Sequence, residues 1–138
     1  MMVSTRGRYA LRVIIDLAEH ANDGYIPMKK VAERQGISLK YLEQILPALS
    51  KNKLIEGVQG KGGGYRLSRQ PENYTVGEIL RLTERELAPV ACLEYGAAPC
   101  SRKESCKTIA MWSRFFDLTN EYFDGITVAD LLDSQNKT

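Results

Sequence analysis

A mostly helical fold carrying one small β wing is the class that this sequence predicts, and three observations predict it. Apolar residues recur at i, i+3 and i+4 along much of the 138-residue chain, the spacing of one face of an α-helix. Two such segments, 28–34 and 38–51, are separated only by a short turn at Gly36, which is helix-turn-helix spacing. Directly after them, Leu54-Ile55-Glu56-Gly57-Val58 and Tyr65-Arg66-Leu67 read as two short strands joined by a glycine-rich tip. The sum is a winged helix-turn-helix domain followed by a long helix.

The first helix is expected from Ser4 or Thr5 to about Ala21, with Leu11, Ile14, Ile15 and Ala18 on one face and Asn22-Asp23-Gly24 as its stop. Arg6, Arg8 and Arg12 begin its exposed side. Pro27 precedes a short helix from Met28 to about Arg34, packed through Val31, Ala32 and Ile37. Ser38 suits the N-cap of the next helix, because its hydroxyl can accept from an orphaned amide of the first turn. There Leu42, Ile45, Leu46 and Leu49 form the buried stripe and Lys40, Tyr41, Glu43 and Gln44 lie outside. Pro47 removes the amide that would bond the Glu43 carbonyl, so a bend or tightening is expected after the exposed residues.

Those exposed residues are either a solvated helix face or a reading surface for DNA. Lysine can neutralise phosphate, glutamate can accept from the cytosine amino group and glutamine can pair with adenine in the major groove. The segment that follows favours the second reading. In the loop Gln59 to Gly64 the missing Cβ atoms let the backbone approach a phosphate closely, and Lys61 adds charge at the tip. The loop lacks a Gly-Lys-Ser/Thr ending and opens onto no helix, which argues against a nucleotide cradle.

Thr75 and Glu78 have capping-box spacing and open a bridging helix through Ile79, Leu80, Leu82 and Thr83. A longer helix runs from Glu104 or Ser105 to about Asp124. Ile109, Trp112, Phe116 and Phe123 mark one apolar side and Met111, Phe115, Leu118 and Tyr122 another. Two apolar faces mean either burial within one protomer or contact with a second copy of the chain, the economical answer. Gly125 ends this helix, and Thr127 to Asp130 caps a final short one before a polar tail.

A hydrophobic content of 43% suits a chain with a packed core, and no apolar run reaches transmembrane length. The amino terminus lacks a signal-peptide layout, so no membrane partner is expected and the cytoplasm is the expected location. The net charge of +2 hides an asymmetry. Residues 1–69 hold 12 Lys and Arg against 6 Asp and Glu, whereas residues 70–138 hold 7 against 11. A basic first half fits a polyanionic partner. The chain offers no paired catalytic carboxylates, no nucleophile with an identifiable base and no histidine near its cysteines, so no enzyme is expected.

Ser4-Thr5-Arg6-Gly7-Arg8-Tyr9-Ala10, Tyr41-Leu42-Glu43-Gln44 and Gly62-Gly63-Gly64-Tyr65 resemble the iron-sulfur cluster regulator (IscR-like) family of bacterial repressors, and the likeness covers nearly the whole chain. The resemblance implies a winged helix-turn-helix domain with its bridging helix (1–84), a cysteine-bearing loop (85–106), and a dimerisation helix with a C-terminal helix (107–138). It further implies a homodimer that reads a near-palindromic double-stranded operator. The candidate DNA contacts are Arg6, Ser38, Lys40, Tyr41, Glu43, Gln44, Gln59 and Lys61. Gln59 stands where the family's cluster regulators commonly place an arginine for the minor groove, so affinity is expected to rest on Lys61 while preference for narrow A·T-rich grooves weakens.

Cys92, Cys100 and Cys106 are all the cysteines and crowd into one segment as C-x7-C-x5-C. An odd count without a C-x-x-C pair supports neither a structural disulfide set nor a zinc finger, and thiolates are the ordinary ligands of iron-sulfur clusters. The match to the family's three-cysteine loop implies that these residues bind such a cluster, 2Fe-2S in preference to 4Fe-4S. The first interval is wider than the C-x5-C of the best-known member. The histidine expected three residues after the last cysteine is Ile109, and the acidic ligand that other members take from the first helix is Arg8. The fourth ligand is therefore unknown, with Glu94, Glu104 or an exogenous thiol or small molecule open, while the only histidine, His20, is expected at the surface or in packing. The alternative is a cluster-free winged-helix regulator that senses thiol redox state or a protein partner.

Overall fold

The structure, a computed structural model, describes residues 2–133. Six α-helices and one hairpin follow in the order α1 (Thr5–Glu19), α2 (Met28–Gln35), α3 (Leu39–Lys51), β1 (Ile55–Val58), β2 (Gly64–Leu67), α4 (Val76–Thr83), α5 (Ile109–Asp124) and α6 (Val128–Leu132). The expected mostly helical winged helix-turn-helix fold is present. The polar tail after α6 lies outside the described residues beyond Asp133.

Local chemistry accounts for most element ends. Ser4 caps α1 by accepting from the Gly7 amide, and Ser38 caps α3 by accepting from Tyr41 N at 3.1 Å. Gly36 ends α2 in the left-handed conformation at φ 64°, which costs glycine little. At the end of α3 the Lys53 and Leu54 amides bond back to the Ser50 and Leu49 carbonyls, a Schellman turn. The left-handed position of that turn is filled by Lys53 at φ 60°, the one positive φ at a non-glycine among the described residues. Helix α3 runs through Pro47, an exposed residue, so the amide it lacks is lost on the solvent side. Thr127 to Asp130, expected as the cap of α6, form a full capping box.

The core is the meeting of these stripes. Leu42, Ile45, Leu46 and Leu49 of α3 are all buried, as are Val31, Ala32 and Ile37, and they pack on Ala10, Val13, Ile14 and Leu17 of α1. Tyr74 is fully buried in the same cluster, and its hydroxyl donates to the Leu54 carbonyl and accepts from the amides of Ser68 (3.1 Å) and Arg69 (3.2 Å). That ties the base of the hairpin to the core. A second cluster of Val76, Leu80 and Leu87 receives Phe116 and Phe123 of α5. The guanidinium of Arg81 clamps Asp124 through two bonds of 2.7 and 2.9 Å, and the glycine at position 77 leaves room for the pair, since a Cβ would lie 2.0 Å from Asp124 Oδ1 where it now stands.

Three expectations change. Helix α5 starts at Ile109 rather than at 104 or 105, because the Lys103 and Ser105 amides turn back to the Cys100 and Arg102 carbonyls, three residues away instead of four. The capping box at Thr75 is only half made: its hydroxyl accepts from Glu78 N, but the Glu78 carboxylate is taken by Arg69 at 2.8 and 2.9 Å. Helix α1 closes at Glu19, with His20 as its C-cap and a 3-10 turn over Ala21–Asp23.

One carboxylate among the described residues is buried. Asp16, 1% exposed, sits on the apolar face of α1 and accepts from Arg34 (2.6 and 3.0 Å) and Gln35 (3.0 Å) of α2. Burial alone raises its pKa, yet the bonds and charge of Arg34, with Gln35 and His20, hold the net value below the usual 3.8. A depressed carboxylate pKa contributes stability at pH above its unfolded value, and the contribution disappears as pH falls through the folded value. Asp16→Asn is expected to cost about 2 kcal/mol at pH 7 by leaving Arg34 without its counter-charge. Denaturant titrations should show that gap narrowing only below about pH 3.8.

Candidate DNA-binding surface and cysteine loop

Capping by Ser38 leaves the first turn of α3 ordered and Lys40, Glu43 and Gln44 exposed, none with a side-chain partner among the described residues. A cation, an acceptor and a bidentate amide thus project together, which is the inventory required to contact phosphate and base edges. Tyr41 departs from the expected exposed position. It is half-buried, edge-on to Tyr9 of α1 with ring centroids 5.3 Å apart. Arg12 stacks over Tyr9 at 5.3 Å and donates to the Gln35 side chain and carbonyl, so α1, α2 and α3 are joined by one aromatic and polar seam. The spacing of Tyr9 and Tyr41 held no signal of this, since only the crossing of the two helices brings the rings together.

The wing is a fixed base with an open tip. Ile55 pairs with Leu67 and Val58 with Gly64, and Tyr65 exchanges two backbone bonds with Ile26, which adds a third short edge. Gln59 and Lys61 are exposed, and Gly60 and Gly62 have φ of 96° and 79°. The base is braced by Arg66, bonded to Glu56 at 2.6 Å and stacked over Tyr25 at 4.5 Å. Arg6 is exposed at the amino end of α1, next to Arg8, which bonds to the Thr5 hydroxyl.

All three cysteines line one cavity of about 260 Å³ with Lys103 and Ile109, between the loop and the start of α5. Cys92 and Cys100 are exposed and Cys106 is half-buried. Bonds from the Thr108 hydroxyl and the Thr108 and Ile109 amides, with Arg102 nearby, hold the Cys106 thiol below its ordinary pKa. The sulfurs are not collapsed on a common point, and among the described residues no three His, Cys, Asp or Glu side chains stand close enough to hold a metal ion. As a donor set the cavity fits an iron-sulfur cluster to the extent of three thiolates with cationic neighbours. Apolar Ile109 occupies the wall where the resemblance places a histidine. His20 lies elsewhere, its Nδ1 2.9 Å from the Asp16 carbonyl.

Helix α5 completes the inventory. None of its residues is buried in the single chain: Phe116 and Phe123 are half-covered by the α4 side, while Met111, Phe115, Leu118 and Tyr122 are 54, 44, 46 and 68% exposed. Among the described residues nothing covers that face.

A capped reading helix, a glycine wing and a basic amino-terminal half define a winged-helix transcription regulator that binds DNA. Residues 3–134 match the Rrf2 family, described as iron-dependent transcriptional regulators, and the chain belongs to that family. The HTH-type transcriptional regulator IscR of Erwinia tasmaniensis is 34% identical over 135 residues, 98% of this chain and 81% of that protein. Among solved structures, IscR of T. potens matches with a TM-score of 0.75 at 34% identity, over 98% of this chain and 88% of that one. CymR, the global cysteine regulator of B. subtilis, matches with a TM-score of 0.79 at 33% identity, over 97% and 98%.

Gly64 tests the wing architecture. A Cβ there would lie 2.4 Å from Ile26 backbone atoms, and φ is 154°. Gly64→Ala is expected to part the Ile26 and Tyr65 backbones and cost about 2 kcal/mol or more. Thermal unfolding measures the loss, and faster amide exchange at Ile26 and Tyr65 locates it.

Proposed function

We propose that the protein is a homodimeric cytoplasmic repressor whose binding to a near-palindromic operator is modulated by an iron-sulfur cluster, 2Fe-2S in preference to 4Fe-4S, held by Cys92, Cys100 and Cys106. The observation that carries the reading is that every cysteine of the chain lines one cavity at the foot of α5. Similarity to proteins named IscR over nearly the whole chain supports it. Residues 1–84 form the reading unit, 85–106 the sensing loop and 107–138 the dimer unit. The exposed stripe Met111, Phe115, Leu118 and Tyr122 supports a second copy as the partner of α5.

In this reading two copies of α3 enter successive major grooves about 34 Å apart. Glu43 accepts from a cytosine amino group and repels acceptor-bearing bases, Gln44 and Lys40 add base and phosphate contacts, and Ser38 orders the turn that presents them. Tyr41, held by Tyr9, contributes its hydroxyl edge and sets the tilt of α3. Arg6, Gln59 and Lys61 engage the backbone and minor groove. When bound, the cluster supplies a centre sensitive to iron, oxygen or nitric oxide. The thiolates and the Lys103 side are what the chain contributes to holding it, and because Ile109 offers no donor the fourth position falls to Glu94, Glu104 or an exogenous thiol. Order in the loop favours one arrangement of the reading heads by its differential affinity for that state.

A second reading replaces the cluster by thiol sensing. It is favoured by the lowered Cys106 pKa and by the similarity to CymR, named a cysteine regulator. Anaerobic reconstitution with iron and sulfide separates the two. The cluster reading expects visible charge-transfer absorption that Cys100→Ser abolishes, whereas a colourless protein whose gel shift responds to oxidant overturns it. For the reading helix, Glu43→Ala is expected to narrow discrimination at one operator position by about 1–3 kcal/mol. Unchanged selectivity across operator variants would remove Glu43 from base readout.

A further inference from the structure

Two carboxylates just past α4 each hold a different part of the molecule. Glu84 Oε1 accepts from the backbone amide of Ser4 at 3.0 Å and from its hydroxyl at 2.7 Å. The same hydroxyl accepts from the Gly7 amide at 3.1 Å, so Glu84 orients the group that caps α1, the helix that begins with Arg6 and Arg8. Space for this exists only because residue 7 is glycine: a Cβ there would lie 2.1 Å from Glu84 Oε1. Two residues on, Glu86 Oε1 accepts from the amides of Leu87 and Ala88, both at 2.9 Å, and Oε2 accepts from the amide of Tyr95 at 3.2 Å. Those bonds close a loop whose interior carries Cys92.

The link between the two carboxylates is short and anchored. The Glu84 amide is bonded to the Leu80 carbonyl at 2.7 Å, and Leu87 is buried against Val76 and Leu80. A displacement of the Tyr95 segment therefore acts on residues 84–87 rather than being absorbed by slack chain. We propose that Glu84 and Glu86 are positioning residues that couple the cysteine loop to the amino terminus of α1, so that a change of state at the cysteines alters how Arg6 and Arg8 are presented to DNA. The proposal deepens the regulatory reading above and relies on it only for what perturbs the loop. Coupling of this kind is reciprocal: disturbing either end loosens the other by the same factor.

Amide hydrogen exchange on the full, reduced, cluster-free chain decides it. Gly7→Ala should leave α1 helical, since alanine is the better helix former, while ejecting the flexible Glu84 carboxylate. Expected is about tenfold faster exchange at Tyr95, and Glu86→Gln should accelerate Gly7 and Arg8 in turn. Effects confined to residues 4–8 in the first variant and to 86–95 in the second overturn the coupler. Glu86→Asp, which keeps the charge, should restore part of the protection at Gly7, a rescue that damage to local structure alone would not produce. Operator affinity before and after iron and sulfide reconstitution adds a separate measure. Its ratio should move toward one in Gly7→Ala with the visible spectrum retained, and an unchanged ratio counts against the coupler. Absence of a spectrum in the unsubstituted protein counts against the cluster reading alone, because the exchange result stands without it.

Discussion

The buried phenol of Tyr74 is the point on which the parts of the molecule depend. Its hydroxyl satisfies the Leu54 carbonyl and the Ser68 and Arg69 amides at the root of the hairpin, its ring fills the main core, and its own carbonyl accepts from Val128 at 3.0 Å. The next residues pair with the segment before α6, through the Thr75 and Thr127 bridge and the bond from Val76 N to the Ile126 carbonyl. Leaving any of those buried polar groups without a partner costs on the order of 1–3 kcal/mol. The hairpin root, the main core and the segment before α6 are therefore tied to one another through Tyr74 and the two residues after it.

Helix α1 connects that core to the exposed face of α3. Its apolar face supplies Val13, Ile14 and Leu17 to the core, Asp16 holds α2 through Arg34, Tyr9 holds α3 through Tyr41, and Ser4 meets Glu84 beyond α4. Hydrophobic burial sets how closely the helices pack, but it is non-directional. The directed contacts choose one orientation of α3 among several that would bury the same stripe. For the DNA contacts proposed above, a surface already fixed in this way would lower the ordering cost of binding.

Much of this was legible from residue order because the responsible interactions are local. Leu42, Ile45, Leu46 and Leu49 are buried as their spacing implies, Ser38 and the Thr127 and Asp130 pair cap as their chemistry implies, and the hairpin forms around its glycines. The outward stripe of α5 was likewise visible as a second apolar face. The failures share a cause. Spacing alone has Glu78 complete a box three residues away, but Arg69 offers two charge-assisted bonds; periodicity puts Tyr41 outside, yet Tyr9 reaches it across a helix crossing. Asp16, a charged residue between Ile15 and Leu17, lies on the buried face of α1 because Arg34 and Gln35 of α2 reach it there.

Residue order by itself determined the helices, the wing, the three-cysteine segment and the family, since periods of 3.6 and 2 residues, caps and turn glycines act within a few positions. The tertiary structure alone decided which distant groups meet: Asp16 with Arg34, Ser4 with Glu84 across 80 positions, and the three thiols around one cavity walled by Ile109. A hydrogen bond fixes direction as well as distance, and neither is defined between remote residues until the chain has packed.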